Sequence, residues 1–519
     1  MNRNSLIQTL LDEPEKLWDV IVIGGGATGL GVALDSVTRG YKTLLLEQSD
    51  FSKGTSSRST KLVHGGVRYL AQGDVLLVKE ALHERGLFLK NAPHLTANQE
   101  FVIPVYTLWD VILYTVGLKF YDLLAGRLSM GKSYFISRRK ASERLPLLKS
   151  EGLKGGIVYH DGQFDDSRMA VALASACVEN GGTVLNYFRV DGLFKDETGK
   201  IKGVDASDVL SGRKFRIKSR LVINATGVFA DEIHRMDDSS SRATIRPSQG
   251  VHVVLDNVFL RSSSAIMIPK TDDGRVLFAI PWYGKVVVGT TDTPLNDITL
   301  EPRALDEEID FILKTAGKYL TVPPKREDIK CVFAGLRPLA ANPDKPEATK
   351  EVSRRHKITL SPSGLLSIIG GKWTSYRRMA EETIDKAIRS GILVRKPCAT
   401  KHFRFYSENG NPKYERLKIY GSGAGEIEKL INEDPGKEDL IHNRLPYTKA
   451  EIIWICRNEM PVKLEDVLAR RSRALFLDAR ASLDAAPVVA EIMARESGAG
   501  RDWIKKELVD YTDLVKKYL

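Results

Sequence analysis

The chain has 519 residues, 43% of them hydrophobic, a length and composition that suit about three packed domains and exclude a disordered chain. Its four cysteines lie far apart and no histidine cluster has metal-ligand spacing, so neither a disulfide framework nor a metal site is predicted. The net charge of +11 favours acidic partners, namely anionic lipid headgroups, nucleic acid or phosphorylated small molecules, unless it serves solubility alone.

The N-terminal stretch from Met1 to Trp18 is mixed polar and acidic. It lacks the apolar core of a signal peptide, and it also lacks the arginine-rich, acid-poor composition of a transit peptide. We therefore expect a protein that is cytosolic or faces the cytosol.

A glycine-rich turn directly follows the first predicted strand. Asp19–Ile23 is a β-branched apolar run typical of a buried parallel strand, and three glycines follow it at GxGxxG spacing. In a dinucleotide fold these glycines permit a tight turn, let backbone amides approach the pyrophosphate and allow the helix to pack on the strand. The predicted cofactor-binding residues of this turn are Gly24, Gly26, Ala27, Thr28 and Gly29.

A helix and a second strand follow the turn. Apolar residues recur at helical spacing from Leu30 to Gly40, and residues 41–46 form a second apolar run that ends at Glu47. A carboxylate at this position is expected to accept hydrogen bonds from ribose hydroxyls, and it disfavours a 2′-phosphate. Because strand, glycines, helix, strand and acid occur together, the unit predicts dinucleotide binding.

A hydroxyl-rich, basic loop comes directly after the second strand. Its residues Ser56, Ser57, Ser59 and Lys61 are suited to hydrogen-bond a pyrophosphate and the edge of a flavin. The alternative is an ordinary polar loop.

Two later segments repeat the pattern of a buried strand that breaks into a glycine turn, at residues 221–227 and 365–372. In the second, Gly370 and Gly371 would let backbone amides approach the pyrimidine end of a flavin, and Thr374 follows at a predicted helix start. Several strand-like runs lie between the two segments, which is consistent with a mixed sheet. No second dinucleotide fingerprint is convincing, so a separately bound NAD is not expected.

The longest apolar segment, Thr107–Leu128, is interrupted by Asp110, Lys119 and Asp122. Charges at these positions are costly inside a bilayer, so a transmembrane span is not predicted. Two alternatives remain open, an amphipathic helix on a membrane surface and a buried helix.

Several segments resemble, in the same order, blocks of the FAD-linked glycerol-3-phosphate dehydrogenase family. They are TSSRSTKLVHGGVRYL (55–70), DGQFDDSRM (161–169), NATGVFAD (224–231), IPWYGKVVVGTTDT (280–293), GLRPL (335–339) and GGKWTSYR (370–377). The resemblance covers most of residues 18–380, and residues 465–480 are similar, less specifically, to the cap domain of that family. It implies an α/β glutathione-reductase-like FAD-binding fold with a mixed-sheet substrate domain and a C-terminal helical cap domain.

The expected division of the chain follows from this resemblance. Residues 1–394 form the FAD-dependent oxidoreductase region, and residues 395–519 form the cap domain. Within the first region the FAD-binding parts are expected at about 18–90, 150–235 and 350–394, and the substrate-domain segments at about 91–149 and 236–349.

The resemblance also implies site residues. His252 is expected to be the catalytic base, although a histidine flanked by valines is by itself more typical of an ordinary strand. Arg68 and Arg337 are expected to bind a phosphate, unless they pair with local carboxylates, and Tyr69 and Lys372 to complete the substrate contacts. Arg337 and Lys372 are expected to be catalytic together with His252. Further expected FAD contacts are His64, Gly65, Gly66, Ala225, Gly227 and Lys372.

The resemblance implies oxidation of sn-glycerol 3-phosphate to dihydroxyacetone phosphate, with hydride transfer to flavin N5 and electrons passed to a membrane quinone. We accordingly expect a protein peripherally associated with an anionic cytoplasmic membrane surface, with a homodimer possible. Three alternatives stay open: an oxidase that uses oxygen, another amine or amino-acid oxidase, and an FAD-containing protein that binds RNA through Arg470, Arg471 and Arg473. The last is disfavoured, because no aromatic residues interleave with these arginines and a solvated or inter-domain helix face suits them better.

Overall fold

A computed structural model of the chain describes residues 1–70, 73–271, 274–340, 355–405 and 412–519, apart from the side chain of Arg68. The strands are β1 (Trp18–Ile23), β2 (Thr43–Leu46), β3 (Leu62–Val63), β4 (Thr96–Val105), β5 (Tyr134–Ser137), β6 (Gly155–Phe164), β7 (Thr183–Leu185), β8 (Phe188–Lys195), β9 (Ile201–Asp208), β10 (Lys214–Asn224), β11 (Ile245–Asp256), β12 (Ala265–Ile268), β13 (Leu277–Trp282), β14 (Lys285–Gly289), β15 (Thr293–Pro294), β16 (Cys331–Ala340), β17 (Lys357–Leu360) and β18 (Leu365–Ile369). The helices are α1 (Arg3–Asp12), α2 (Ala27–Thr38), α3 (Val67–Leu70), α4 (Val75–Asn91), α5 (Leu108–Ala125), α6 (Arg138–Arg144), α7 (Asp166–Glu179), α8 (Ala230–Asp237), α9 (Asp306–Tyr319), α10 (Tyr376–Arg389), α11 (Ala424–Glu433), α12 (Lys449–Asn458), α13 (Ala474–Leu477), α14 (Ala479–Ser497) and α15 (Arg501–Val515).

The first sheet has the strand order β17-β18-β10-β1-β2-β7, and β9 joins β8 to the edge of β10. Strand β1 lies in the middle, in parallel register with β10 on one side and β2 on the other. Its β-branched residues are fully buried, as its apolar run predicts for a parallel strand covered on both faces. Helices α2, α7 and α10 pack together over one face. The predicted strand-helix-strand unit is therefore confirmed.

The second sheet has the order β15-β11-β14-β13-β12-β4-β6-β3, with β16 paired to β11 and β5 paired to β6. Its pairs are antiparallel except for β12 and β4, which run parallel, so the expected mixed sheet is confirmed. Helix α9 packs over one face and helices α4 and α5 over the other.

Helices α11 to α15 form the C-terminal helical domain, as expected. Its apolar core continues into the second sheet through Val254, Trp282 and Phe333. The boundary at residue 394 stays a prediction. It falls in the segment between the end of α10 and the start of α11, where the described residues form short 3-10 turns.

Helix α5 has one buried side and one exposed apolar side. The Thr107 hydroxyl caps its N-terminus by accepting from the Asp110 amide, and Leu118 and Tyr121 face the interior. Trp109 is 77% exposed and Leu113 63% exposed on the other side. Among the described residues, no helix combines the length and the apolar composition needed to cross a bilayer.

Candidate active site

A cavity of about 490 Å³ begins at the glycine turn after β1 and reaches the second sheet. Gly24, Gly26 and Glu47 line one end, and His252 and Arg337 line the other. The predicted nucleotide site and the predicted substrate site are thus parts of one space between the two sheets.

The glycine turn has the close packing that a dinucleotide site requires. A Cβ atom at Gly29 would overlap the carbonyl oxygen of Gly24, so the helix approaches the turn only because residue 29 is glycine. The N-cap residue Gly26 has no side chain to cap α2, and the first turn of the helix lines the cavity. An uncapped helix N-terminus of this kind suits the negative charge of a pyrophosphate.

The Glu47 carboxylate lies where the ribose is expected. It accepts hydrogen bonds from the amides of Gly25, at 2.6 Å, and Ser49, at 2.8 Å. Burial raises the pKa of Glu47, and these two amides oppose that shift. The amides fix the orientation of the carboxylate at the cavity wall; its contact with a ribose stays a prediction.

The loop after β2 forms one wall of the cavity, from Gly54 to Thr60. The Ser56 hydroxyl accepts a hydrogen bond from the amide of Ala27 at 2.9 Å, which ties this loop to the start of α2. The Trp373 indole donates to the Ser56 carbonyl at 2.8 Å from the opposite side. The loop is therefore held between the glycine turn and the segment after β18.

Lys61 lies behind this wall and outside the cavity lining. Its ammonium group donates to the Ser57 carbonyl and to the Asp166 carboxylate, each at 2.7 Å. Burial lowers the pKa of Lys61 to about 7, although the Asp166 charge opposes this shift. The predicted FAD contact of Lys61 stays a prediction that this geometry does not favour.

His252 and Thr60 are in direct contact in the cavity lining. The His252 ring stacks on Phe333, its direct neighbour on strand β16, with 4.8 Å between ring centroids. A hydrogen bond of 2.9 Å joins its Nε2 atom to the Thr60 hydroxyl, and its Nδ1 atom is buried without a hydrogen-bond partner in the described part of the chain. Burial, and then the charges of Lys61 and Arg337, lower the pKa of His252 well below 6.5. The imidazole is therefore neutral near neutral pH.

Arg337 lies near His252 because their strands pair in antiparallel register. A Cβ at Gly250 would overlap its guanidinium, so the side chain fits across β11 only because residue 250 is glycine. The guanidinium lines the cavity, lies 3.3 Å from Asp292 and donates to the carbonyl of Thr291 at 2.9 Å. The Arg337 guanidinium is thus close to the Asp292 carboxylate and also lines the cavity.

Lys372 and Tyr69 also meet at the cavity. The Lys372 ammonium lies 3.9 Å from the centre of the Tyr69 ring, and both side chains line the cavity. The side chain of Arg68 lies outside the described part of the chain, so its expected phosphate contact stays a prediction. Thr374 bridges to the backbone of His64, with its hydroxyl accepting from the His64 amide at 3.2 Å.

The cavity brings together most of the site residues that the sequence predicts. The predicted residues in its lining are Gly24, Gly26, Ala27, Thr28, Glu47, Ser56, Ser59, His64, Gly66, Tyr69, Ala225, Gly227, His252, Arg337, Gly370, Gly371, Lys372 and Thr374. The predicted residues that lie behind the lining are Gly29, Ser57, Lys61 and Gly65.

Among the lining residues that were not predicted from the sequence, Thr60 and Asp161 make polar contacts with other elements. Thr60 sits within the quoted 55–70 segment, but only its distance to His252 identifies it. Asp161 is buried between α4 and α5, where it accepts from Arg85 at 2.7 Å and from the Tyr121 hydroxyl. Burial raises the pKa of Asp161, against the opposing charge of Arg85. Asp161 lies within β6, and its partners Arg85 and Tyr121 come from helices that are distant in the sequence.

Two family models match the chain. Residues 19–377 match the model described as FAD dependent oxidoreductase, and residues 366–503 match the C-terminal domain of alpha-glycerophosphate oxidase. The first match covers both sheets and the whole cavity lining, and the second covers most of the helical domain.

Curated relatives and a solved structure agree with these matches. The human protein named glycerol-3-phosphate dehydrogenase, mitochondrial, is 39% identical over 553 aligned positions, which span all of this chain and 75% of the human one. The Saccharomyces cerevisiae protein of the same name is 37% identical, over 97% of this chain and 90% of its own.

The crystal structure of glycerol-3-phosphate dehydrogenase from Bacillus halodurans, complexed with FAD, has a TM-score of 0.79 and 31% identity. It covers 99% of this chain and 97% of its own. The glutathione-reductase-like fold class and FAD as the cofactor are thereby confirmed, and the glycine turn and the cavity described above fit this cofactor. The chain is an oxidoreductase that belongs to the family of FAD-dependent glycerol-3-phosphate dehydrogenases.

Proposed function

We propose that this protein oxidises sn-glycerol 3-phosphate to dihydroxyacetone phosphate and that the electrons pass to a quinone in a membrane on which the protein sits. The observation that carries the proposal is the shared cavity, in which a neutral imidazole and two cationic side chains face the space that begins at the FAD-binding turn. The names of the relatives support the same substrate.

The cationic groups suit a phosphate monoester. Arg337 presents a planar guanidinium and Lys372 a point charge, and the substrate phosphate carries close to two negative charges near pH 7. Tyr69, stacked under Lys372, fixes the position of that ammonium group. We assign these three residues to the phosphate and the neighbouring hydroxyl.

His252 is the proposed base. Oxidation of the secondary alcohol removes two hydrogens: the hydroxyl hydrogen leaves as a proton, and the hydrogen on the carbinol carbon leaves as a hydride. FAD, when bound, supplies the acceptor for that hydride. The neutral imidazole accepts the hydroxyl proton at Nε2, the nitrogen that faces Thr60. Burial, and then the nearby charges of Lys61 and Arg337, lower the pKa of His252 and keep the ring neutral until that proton arrives.

The exposed side of α5 supports attachment to a membrane. Its exposed apolar residues are Leu108, Trp109, Ile112, Leu113, Val116, Phe120 and Leu123. An apolar helix face of this size on a protein surface marks an interaction site. The exposed cations within α5 and in the segment after it are Lys119, Arg127, Lys132, Arg138, Arg139 and Lys140, which suit anionic headgroups.

The opposite side of α5 connects this surface with the cavity. Leu118 and Tyr121 belong to an apolar cluster that also contains Tyr69, Phe101 and Met267. The last three residues line the cavity. The apolar wall of the site therefore lies directly beneath the proposed membrane surface, a position suited to an apolar electron acceptor such as a quinone.

The decisive experiment is an anaerobic titration of the purified holoenzyme with sn-glycerol 3-phosphate, followed at the visible flavin bands. We expect bleaching at stoichiometric sn-glycerol 3-phosphate and none at the same concentration of glycerol or of an L-amino acid. An unchanged flavin spectrum with glycerol 3-phosphate would exclude the proposed substrate, and bleaching by an amino acid would favour the amino-acid-oxidase alternative.

The electron acceptor is tested separately. Steady-state turnover should depend on an added soluble quinone and should continue without oxygen. Stoichiometric hydrogen peroxide, with a rate that does not fall when the quinone is omitted, would establish the oxidase alternative instead.

A further inference from the structure

Three arginines of the C-terminal domain are buried against the cofactor-binding loop. Arg470 and Arg471 end a π-helical turn that spans Asp466–Arg471, and Arg473 follows in a left-handed backbone conformation with φ of 64°. All three are buried, unlike the solvated arginines of an RNA-binding face. Their charges are therefore directed at the protein interior.

The first two arginines hold the start of the loop. Arg470 donates to the buried Asp50 carboxylate at 2.5 Å, and Arg471 contacts both of its oxygens. Burial opposes ionisation of this carboxylate, but the charges of Arg471 and Arg470 outweigh burial and lower the pKa of Asp50. Asp50 is thus an anion paired to the C-terminal domain just before the loop enters the cavity wall.

Arg473 holds the middle of the loop. Its Nη2 atom donates to the Ser57 carbonyl at 2.8 Å and lies 3.2 Å from the Asp166 carboxylate, while Nη1 donates to the carbonyl of Ala469 at 2.9 Å. The Ser57 carbonyl also accepts from Lys61. The guanidinium therefore spans from its own helical turn to the rear of the cavity wall.

The two cations at Ser57 are not equivalent. The pKa of Lys61 is lowered to about 7 by burial, so its ammonium group loses its proton near neutral pH. A guanidinium keeps its charge at every physiological pH. Arg473 is consequently the permanent cation beside Asp166, and its two terminal nitrogens donate to the loop and to its own domain.

The loop that Arg473 holds carries the groups that face the cofactor. Ser56, one residue before Ser57, accepts from the amide of Ala27 at the start of α2, and Thr60 contacts His252. Asp166 accepts from the Ser59 hydroxyl at 2.7 Å, so the same carboxylate that meets Arg473 also orients a cavity-lining serine. A shift of the Ser57 carbonyl would move this whole wall.

We propose that Arg473 is a positioning residue for FAD: reaching across from the C-terminal domain, it fixes the Ser57 carbonyl and Asp166 so that the turn at Ser56 and Ser59 fits the cofactor. The C-terminal domain thereby completes the cofactor site without contributing a side chain to its lining. This inference rests on FAD as the cofactor and not on the proposed substrate, so its failure would leave the substrate assignment intact.

The test compares FAD binding in Arg473→Gln and Arg473→Lys with the wild-type chain. FAD is removed from each holoenzyme, and the dissociation constant is measured on reconstitution by quenching of flavin fluorescence, together with the visible circular dichroism of the bound flavin. We expect Arg473→Gln to raise the dissociation constant at least about tenfold, the effect of losing a charged hydrogen bond, and to change the flavin dichroism. Arg473→Lys should raise it about threefold to tenfold, because one ammonium group replaces a fork that reaches two carbonyls.

Arg416→Gln is the matched control. It removes an ion pair with Glu451 inside the C-terminal domain and has no contact with the cofactor loop. We expect it to lower the melting temperature of the apoprotein while the affinity for FAD stays that of the wild type. Equal losses of FAD affinity in Arg416→Gln and Arg473→Gln would overturn the proposal, as would wild-type affinity and dichroism in either Arg473 variant. If Arg473→Gln does not fold, Arg473→Lys decides alone on the same criteria.

Discussion

The Nε2 atom of His252 lies 2.9 Å from the hydroxyl of Thr60, which joins strand β11 to the loop that follows β2. The first residue belongs to the second sheet, and the second belongs to the loop that is hydrogen-bonded to the start of α2. Because the Nδ1 atom is buried and the ring is stacked on Phe333, the imidazole has little freedom to rotate. The nitrogen available to a substrate hydroxyl is therefore Nε2.

Replacing His252 with alanine should slow flavin reduction by sn-glycerol 3-phosphate about 10²- to 10⁴-fold, the usual contribution of a general base. The visible spectrum of the bound FAD should stay close to that of the wild type, because the ring is not needed to hold the glycine turn. Stopped-flow reduction under anaerobic conditions measures the rate. Thr60→Ala serves as a control with a smaller expected effect, and reduction of His252→Ala at the wild-type rate would disprove the assignment of the base.

The pH dependence of flavin reduction follows from the environment of His252. Burial and the charges of Lys61 and Arg337 lower its pKa well below 6.5, so the active neutral form persists as the pH falls through 6.5. The rate should therefore be constant near neutrality and decline only at more acidic pH. The substrate phosphate also titrates near pH 6 and Lys61 near pH 7, so the profile of His252→Ala, which keeps both of these titrations, must be measured in parallel. A decline centred at or above pH 6.5 that is lost in His252→Ala would contradict the lowered pKa.

Replacing Arg337 with glutamine should raise the substrate concentration needed for half-maximal flavin reduction about 10- to 100-fold, the effect expected for a lost charged hydrogen bond to phosphate. Arg337→Lys should retain part of the affinity, because it keeps the charge but not the planar fork. Slow reduction by high concentrations of glycerol, which carries no phosphate, should change little in either variant. An equal loss with glycerol would show that Arg337 supports the strand through Asp292 and Thr291 instead of binding phosphate.

The parts of the fold that local patterns encode were predictable. The spacing of Gly24, Gly26 and Gly29 after a β-branched run specifies a turn and a helix within one short segment, and the structure has both. The strand carrying His252 was also recognisable. Its partner was not, because the pairing of β11 with β16 depends on tertiary contacts that bring Phe333 and Arg337 beside it.

The contacts between the domains could not be predicted from the sequence. Arg471 and Asp50 are separated by 421 positions, and nothing in either local segment indicates the other. The run of arginines at 470–473 favoured a solvated or inter-domain face, and burial of its charges became visible only with the fold. For α5 likewise, hydropathy left a buried helix and a surface helix equally open, and only the packing of Leu118 and Tyr121 shows which side faces inward.

Substituting Gly29 with alanine should abolish FAD binding, because the added methyl group would overlap the carbonyl oxygen of Gly24. The clash is with backbone, which cannot move aside without opening the pyrophosphate turn. The ratio of visible to ultraviolet absorbance after purification measures the bound flavin. Gly425→Ala is the matched control, since it is also a helical glycine but its Cβ would meet open space. Full flavin content in Gly29→Ala would argue against the assignment of this turn to the cofactor.

The double substitution Trp109→Glu and Leu113→Glu should prevent attachment to a membrane surface. Both side chains are exposed on the apolar side of α5. Transfer of each one from water into the membrane interface is expected to contribute on the order of 1–2 kcal/mol to the free energy of membrane binding, and a glutamate side chain would not make this contribution. The fraction of protein that sediments with anionic vesicles at low salt should fall at least about tenfold, whereas bleaching of the flavin by sn-glycerol 3-phosphate should be unchanged, because neither residue lines the cavity. Val394→Glu introduces a charge at an equally exposed apolar residue outside α5 and should leave sedimentation unaffected. If the double variant sediments at the wild-type level, α5 is not the attachment surface. If the wild-type chain itself does not sediment with the vesicles, the proposal of attachment to anionic membranes is wrong.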